Sequence, residues 1–122
     1  MFMISLALAL AAPCSVTDGD TIRCGDERIR LTGIDAPETG RCPRNRKCVK
    51  GDGEASKRTL ERIIAGKHLR IVRLGKDHYG RTLAAVYVDG QNVACPMIRA
   101  GQAVYVAKWD DERRVARDCK VR

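Results

Sequence analysis

Beyond an N-terminal apolar run, the chain alternates polar and apolar residues in short segments, the pattern of half-buried β-strands. The segment CSVTDGDTIRC predicts two strands joined at Asp18-Gly19, because Asp-Gly between apolar runs is a strong signal for a tight hairpin. In such a hairpin Cys14 and Cys24 lie nearly opposite each other. Cross-strand neighbours have about the separation that a disulfide needs, so the hairpin is compatible with a bridge between them.

The middle of the chain changes from strand to helix patterning. ERIRLTGID predicts a third strand with one buried face, which ends at Gly33 or Ile34. Residues 40–53 are rich in Arg, Lys, Gly and Cys without apolar periodicity, and this composition predicts a surface loop. Glu54–Ala65 then places apolar residues on one flank with charges opposite, and Gly66 follows as a stop signal. We therefore expect an amphipathic helix there.

The second half of the chain predicts two more strands and further helices. HLRIVRL and RTLAAVYVDG have strand composition and are separated by the polar turn GKDHYG. A shorter helix is predicted over NVACPMIRAG, and the charged segment DDERRVARDC has helical composition. Three strands, a helix, two strands and then helices are compatible with a small closed β-barrel capped by helices, although pattern alone does not identify that fold.

The N-terminal run MFMISLALALAAP is unbroken by charge and ends in small residues and a proline. It is too short to span a bilayer, and no stable membrane association is expected. It predicts the apolar and cleavage regions of a secretory signal peptide that lacks the usual positive start. The expected organisation is a leader over residues 1–13 and one domain over residues 14–122. A buried first strand or a short docked helix is the alternative.

Charge and cysteine content narrow the classes of partner and compartment. The 122-residue chain has 23 Lys and Arg against 15 Asp and Glu, a formal net charge of +8. This excess indicates a polyanionic partner or serves solubility, and charge alone does not decide between them. Six cysteines without a CxxC pair indicate disulfides. Disulfides belong to oxidising compartments, so we expect a secreted or periplasmic protein. We also expect a monomer.

Carboxylates and arginines at predicted strand ends are the candidate chemistry. Asp20 leaves the first hairpin, and Asp35 and Glu38 lie three apart in DAPE, where the proline stiffens the turn. Oxygen ligands of this kind suit Ca²⁺ or Mg²⁺, which a phosphodiesterase needs to offset charge on phosphate oxygens. Arg30 and Arg81 each offer a planar fork of donors to a phosphate. Taken singly, each feature is also explained by a turn, a strand end or a solvated side chain.

Taken in order, DGDT, IRLTGIDAPE, GEAS at the helix start and DHYGR resemble the motifs of the thermonuclease, or staphylococcal nuclease-like, family. The resemblance extends from about Cys14 to about Trp109. It implies a mainly β, α+β fold: a five-stranded OB-fold barrel capped by two to three helices. It also implies a calcium-dependent nuclease with one bound Ca²⁺, which hydrolyses phosphodiester bonds of DNA and RNA.

The resemblance assigns the metal ligands and the base by position. Asp20 and Asp35 match the carboxylate ligands of Ca²⁺. Ala36 matches a position, often threonine, that contributes its backbone carbonyl, and alanine keeps that carbonyl. Glu38 matches the general base that activates the attacking water, a role that a carboxylate can fill at neutral pH.

The resemblance also assigns the phosphate and base contacts. Arg30 and Arg81 match the two arginines that hold the phosphate and its developing charge. Tyr79 matches a tyrosine near the phosphate of the bound nucleotide. His78 stands where well-known members have lysine, so it is either a weaker phosphate contact or an exposed loop histidine. Trp109 is the candidate for stacking on a base.

The loop that follows Glu38 carries five positive side chains, which could guide a polyanion to the cleft or merely be solvated. They are Arg41, Arg44, Arg46, Lys47 and Lys50. Arg41 and Lys47 are the substrate-binding candidates among them. The favoured cysteine pairing is Cys14–Cys24, Cys42–Cys48 and Cys95–Cys119.

Two other functions remain open on the sequence. An OB-fold module that binds nucleic acid without cutting would normally have lost an acid or an arginine, and this chain retains all of them. A disulfide-stapled extracellular domain that binds acidic polysaccharide or another protein would be insensitive to calcium chelation. The competent side chains at every expected catalytic position favour the nuclease.

Overall fold

The computed structural model describes residues 13–121, so the expected leader lies almost entirely outside the described residues. The strands are β1 (Cys14–Asp18), β2 (Thr21–Cys24), β3 (Glu27–Leu31), β4 (Ile34–Asp35), β5 (Arg70–Lys76), β6 (Thr82–Val88), β7 (Gln91–Asn92) and β8 (Val104–Tyr105). The helices are α1 (Gly53–Ile64), α2 (Ala94–Arg99) and α3 (Arg114–Cys119), and short 3-10 segments cover Ala107–Trp109 and Asp111–Arg113.

Five strands form the main sheet in the order β1-β2-β3-β6-β5, with β7 added beside β6. Only β3 and β6 run parallel among these pairs, and the remaining neighbours are antiparallel. The separate pair of β4 and β8 is antiparallel. Helix α1 packs against β1, and α2 packs against α1 and α3. The predicted α+β class, with five main strands and packed helices, is confirmed.

The first hairpin forms where the sequence predicted it, but its turn lies one residue further on. Asp18 pairs with Thr21, so the turn is Gly19-Asp20 rather than Asp18-Gly19. The cause is an irregularity in the pairing between Val16 and Asp18, which gives β1 an extra residue. The shift places the Asp20 side chain in the turn itself.

The predicted third strand is interrupted before its end. Strand β3 stops at Leu31, and the chain re-enters extended structure as β4, which pairs with β8. Gly33 lies between them with a φ of +79°, a backbone conformation that residues other than glycine rarely adopt. A Cβ at Gly33 would also lie 2.7 Å from a methyl carbon of Val115. The break therefore turns the chain so that Asp35 ends a separate short strand.

Helix α1 begins at Gly53, one residue before the predicted start, and ends at Ile64. The Asp52 side chain accepts a hydrogen bond from the Ala55 backbone N–H at 3.1 Å, which caps the first turn. The apolar flank buries Leu60 and Ile64 in the core. The core also contains fully buried side chains from the sheet and the other helices, namely Ile22, Ile29, Ile34, Val86, Val93, Met97 and Val115.

All three predicted disulfides are present. Cys14–Cys24 joins paired positions of the first hairpin, Cys42–Cys48 closes the basic loop, and Cys95–Cys119 links α2 to α3. The predicted C-terminal helix is split, because Glu112 and Arg113 have positive φ angles between the 3-10 turn and α3. Within residues 13–121, no helix is long and apolar enough to cross a membrane.

An ion pair between β3 and β5 gives this fold a testable response to acid. The Arg73 guanidinium donates to both carboxylate oxygens of Glu27, at 2.9 and 2.7 Å, and the Thr82 hydroxyl donates to the same group at 2.9 Å. The hydrogen bonds from Arg73 lower the pKa of Glu27 to about 2, from an ordinary 4.5. Because this pKa is depressed by folding, the stabilisation is complete above pH 4.5 and disappears as the pH falls toward 2.

We therefore expect Glu27→Gln to lower the free energy of unfolding at pH 7 by about 1 kcal/mol, the upper range for a partly exposed pair. The difference between wild type and variant should shrink as the pH falls from 5 toward 2. Urea unfolding at several pH values measures it, with Glu61→Gln on the exposed side of α1 as the control. A difference that does not vary with pH would contradict this assignment.

Candidate active site

Asp20 lies in the turn of the first hairpin with 6% of its surface exposed. One carboxylate oxygen accepts a hydrogen bond from the Thr21 hydroxyl at 2.9 Å. The other accepts the backbone N–H of Ala36 at 2.9 Å and lies 3.4 Å from the Arg30 guanidinium. The Ala36 contact fixes the turn of the hairpin against the segment that follows β4.

Asp35, at the end of β4, is a second buried carboxylate directed at the same guanidinium. Its Oδ1 lies 3.5 Å from Arg30 Nη2 and 3.0 Å from Arg46 Nη2. Burial and the nearby charge of Asp20 raise the pKa of Asp35, although Arg30 and Arg46 act in the opposite direction. Two like charges are therefore held close together in a poorly solvated place.

Arg30 is the buried cation that these carboxylates share. It projects from β3, and its Nη1 donates to the backbone carbonyls of Leu31 and Ile34 at 2.7 and 2.9 Å. The Nη2 atom is then left facing Asp20 and Asp35. These contacts fix the plane of the guanidinium, which also lines an open cleft.

Glu38 lies in the turn formed by residues 35–39, the DAPET turn, with 23% of its side chain exposed. Its Oε1 lies 2.9 Å from Arg46 Nη1. Burial raises the pKa of Glu38, against the opposing effect of Arg46. The turn is attached to β1 because the Thr39 backbone N–H and hydroxyl both donate to Asp18 Oδ1, at 3.2 and 2.8 Å.

The start of α1 sets the position of the Glu38 backbone. Gly53, the first residue of the helix, packs so closely that a Cβ there would lie 1.9 Å from the Glu38 carbonyl oxygen. The same Cβ would lie 2.7 Å from the Thr39 backbone nitrogen. Only glycine permits this approach, which explains why the GEAS motif begins with glycine.

A cleft of about 540 Å³ lies beside the carboxylates and is bounded by several cationic and aromatic side chains. Among the residues that line it are Arg30, Arg46, Asp77, His78, Tyr79, Arg81, Lys108, Trp109 and Asp110. Arg30 and Arg46 each contact both the cleft and the carboxylates. They connect the two parts of the site.

Arg81 is held at the cleft by an aspartate. The Asp77 carboxylate accepts the Arg81 side-chain Nε–H at 2.7 Å and the backbone N–H groups of Arg81 and Tyr79, both at 2.9 Å. Burial alone would raise the pKa of Asp77, but the hydrogen bonds from Arg81 hold it below its ordinary value. The exposed rings of His78 and Tyr79 lie next to each other, with centroids 3.9 Å apart.

Trp109 forms part of the cleft wall near the C-terminal segment. The residue is 41% exposed, and the Arg30 guanidinium carbon and the Lys108 Nζ each lie 5.4 Å from a ring centroid of its indole. The next residue, Asp110, is buried and accepts hydrogen bonds from the Tyr105 hydroxyl and from the first turns of α3. These contacts fix the backbone that carries the indole.

The structure brings together most of the side chains that the sequence singled out. Asp20, Asp35, Ala36 and Arg30 form one contact group, and Glu38 joins it through Arg46. The cleft is lined by four further candidates, namely Arg81, Tyr79, His78 and Trp109. By contrast, Arg41 and Lys47 are exposed on the loop and are not among the described residues that line the cleft.

Three residues in the site were not recognised from the sequence. Arg46 was noted only as one of five charges in a loop, Asp77 only as part of DHYGR, and Gly53 only as a letter of GEAS. For Asp77 and Gly53 the motifs themselves were the available signal. For Arg46 no signal in the sequence separates it from its basic neighbours.

The oxygen atoms at this site form only part of a metal-binding set. Within residues 13–121, no group of three or more Asp, Glu, His or Cys is arranged to hold a metal by itself. Two buried carboxylates that repel each other, next to a backbone segment attached at Ala36, do suit a hard cation whose other ligands are carbonyl oxygen and water. The residues present therefore fit a hard divalent cation, such as Ca²⁺, with part of its ligand set supplied by water.

Comparison with known proteins identifies the family. A family model described as staphylococcal nuclease homologue matches residues 28–120. The chain belongs to the staphylococcal nuclease family. Both parts of the site fall largely within the matched region of this staphylococcal nuclease homologue, and Asp20 lies just before it.

Several proteins that are similar to this chain in sequence are named as endonucleases. An uncharacterized endonuclease of Haemophilus influenzae is 39% identical over 93 residues, which cover 72% of this chain and 47% of the relative. An uncharacterized endonuclease of Escherichia coli O157:H7 is 42% identical over 94 residues, covering 72% of this chain and 55% of the relative. A probable staphylococcal-like nuclease of Oryza sativa is 30% identical over 99 residues, covering 81% of this chain and 27% of the relative. The chain thus spans about half the length of the two bacterial relatives.

Proposed function

We propose that this protein is a calcium-dependent nuclease that hydrolyses phosphodiester bonds of DNA and RNA. The observation that carries the proposal is the convergence of two buried carboxylates on Arg30, beside a cleft that also presents Arg81. Membership of the staphylococcal nuclease family and the endonuclease descriptions of its relatives support it.

In this proposal Asp20, Asp35 and the backbone carbonyl of Ala36 hold the cation. The burial of Asp35 and its closeness to the Asp20 charge, which both raise its pKa, support the assignment, because a bound cation would offset both effects. When bound, Ca²⁺ offsets the negative charge on the phosphate oxygens. The Thr21 hydroxyl and the Ala36 N–H orient the Asp20 carboxylate for this role.

Glu38 is the proposed general base, which takes a proton from the attacking water. The new bond forms between the water oxygen and phosphorus, and the bond from phosphorus to the leaving oxygen breaks. The leaving oxygen takes a proton from solvent in the open cleft, and Glu38 later releases its proton to solvent. Arg30 and Arg81 hold the phosphate and the charge that develops on it. Each guanidinium is fixed by its own partner, Arg30 by backbone carbonyls and Arg81 by Asp77, so little reorganisation is needed.

The aromatic wall of the cleft supplies the contacts to the nucleotide. Tyr79 and Trp109 are exposed and offer ring faces, and His78 adds a polar contact beside Tyr79. Arg41 and Lys47 lie outside the lining and act at a longer range, by attracting the polyanion toward the cleft. Three disulfides are typical of proteins from oxidising compartments, which supports a secreted or periplasmic location.

Digestion of single-stranded DNA and RNA by the purified protein tests the proposal. We expect cutting with Ca²⁺ and none with excess chelator, followed by recovery when Ca²⁺ is restored. A gel-shift assay run in parallel separates binding from cutting. Retained binding without cutting at any Ca²⁺ concentration would contradict the nuclease and indicate a nucleic-acid-binding module instead.

A further inference from the structure

The Arg46 side chain bridges two carboxylates that the proposed mechanism uses for different purposes. Its Nη1 lies 2.9 Å from Glu38, and its Nη2 lies 3.0 Å from Asp35. The side chain is 38% exposed and lines the same cleft as Arg30 and Arg81. Arg46 therefore stands where the carboxylates and the substrate side of the site meet.

The basic loop is built to present this one side chain. The Cys42–Cys48 disulfide encloses Arg46 in a ring of the chain, and the Arg46 backbone N–H donates to the Pro43 carbonyl at 3.1 Å inside it. A short closed ring has little conformational freedom, so the backbone that carries Arg46 is restrained, and the contacts with Asp35 and Glu38 then hold the guanidinium. Lys47, directly adjacent, is exposed and does not line the cleft.

The net charge of the site favours an Arg46 that stays beside the carboxylates and the phosphate when substrate binds. Asp20, Asp35 and Glu38 are opposed by Arg30 and Arg46, which leaves one net negative charge. Arg81 is already paired with Asp77. A divalent cation together with one phosphodiester group would bring the sum to zero. Without Arg46, a negative charge would remain beside the phosphate.

We propose that Arg46 is a third phosphate-binding arginine. This proposal rests on the nuclease function proposed above. It is held on Asp35 and Glu38, and it would move to the substrate phosphate once Asp35 serves as a ligand of a divalent cation. The fork of donors that bridges two carboxylates is equally suited to phosphate oxygens. The transfer also leaves Glu38 unpaired and able to accept a proton. Arg46 thus competes with the cation for Asp35 and contributes to binding of the substrate phosphate.

This double role predicts opposite effects on two ligands, which a purely structural tether would not produce. Arg46→Gln should bind Ca²⁺ about threefold to tenfold more tightly in calorimetric titration without nucleic acid, because a competing charge is lost. The same variant should raise KM for a single-stranded oligodeoxynucleotide about tenfold, with a smaller change in kcat. Arg58→Gln, an equal charge change on the exposed face of α1, should alter neither.

Two further variants separate position from charge. Arg46→Lys keeps the charge but loses the fork, so KM should stay raised; full recovery would overturn the bridging role. The double variant Cys42→Ser/Cys48→Ser should raise KM similarly, and adding Arg46→Gln should then have little further effect. Circular dichroism confirms that each variant is folded.

The outcomes that overturn the proposal are distinct from failure of the nuclease itself. Weaker calcium binding by Arg46→Gln, or unchanged calcium affinity and KM, would reduce Arg46 to a loop tether. A wild-type protein that does not cut nucleic acid would overturn the nuclease, whereas the calcium titration would still decide whether Arg46 competes at Asp35.

Discussion

Replacing Glu38 with glutamine is expected to slow phosphodiester cleavage by about two to four orders of magnitude while the protein stays folded. Glutamine has nearly the same shape and still offers a carbonyl oxygen to Arg46, so the contact at 2.9 Å can persist. It cannot take a proton from water. The fold does not depend on the charge, because Glu38 lies in a turn that Thr39 attaches to Asp18 independently.

Initial rates on single-stranded DNA with saturating Ca²⁺ measure this effect. Glu54→Gln is the matched control, since Glu54 is an exposed glutamate in the first turn of α1 and lies outside the cleft lining. Both variants should unfold within a few degrees of wild type. Cleavage by Glu38→Gln close to the wild-type rate would remove Glu38 from the mechanism and leave another group to activate the water.

Gly53→Ala should reduce both stability and cleavage, although residue 53 contributes no side chain to the site. The added Cβ would lie 1.9 Å from the Glu38 carbonyl oxygen, a distance that no relaxed structure keeps, so α1 and the DAPET turn must separate. Such overpacking costs about 1–3 kcal/mol of unfolding free energy. A displacement of the Glu38 carboxylate by about 1 Å would lower kcat about a hundredfold.

Gly40→Ala is the matched control for this prediction. Gly40 is exposed in the neighbouring loop, and a Cβ built there meets nothing within 4 Å. Urea unfolding gives the stability of both variants, and single-turnover rates with Ca²⁺ give the chemical step. If Gly53→Ala matched Gly40→Ala in both measurements, the close approach of α1 would not be what positions Glu38.

Much of the fold follows from local patterns in the sequence. The hairpin and α1 were predicted from turn and helix patterns, and the long strands β5 and β6 from their strand-like composition between polar turns. The errors lie where tertiary contacts override local signals. The irregularity before Asp18 moves the turn by one residue, and the pairing of β4 with β8 joins segments far apart in the chain. Two-residue strands of this kind have no period to detect.

The candidate site likewise has one part that the sequence predicted and one part that it did not. Asp20, Asp35 and Arg30 were assigned from the family motifs that contain them. The pairing of Thr21 with Arg30 then places Asp20 beside Arg30, and Asp35 meets the same guanidinium from the separate strand β4. Arg46 was not distinguished, since a loop without regular structure gives no clue to which of its charges turns inward. Its position depends on the Cys42–Cys48 bridge and on contacts with Asp35 and Glu38 that form only in the folded protein.

The chain contains one tryptophan, and it lies on the wall of the cleft. Its indole is partly exposed, with the Arg30 guanidinium 5.4 Å from the ring centroid. Tryptophan fluorescence of the native protein therefore originates at a single, functionally placed position. Entry of a nucleotide, or a shift of Arg30, would change that emission directly, so occupation of the cleft can be followed in real time without a dye or a label.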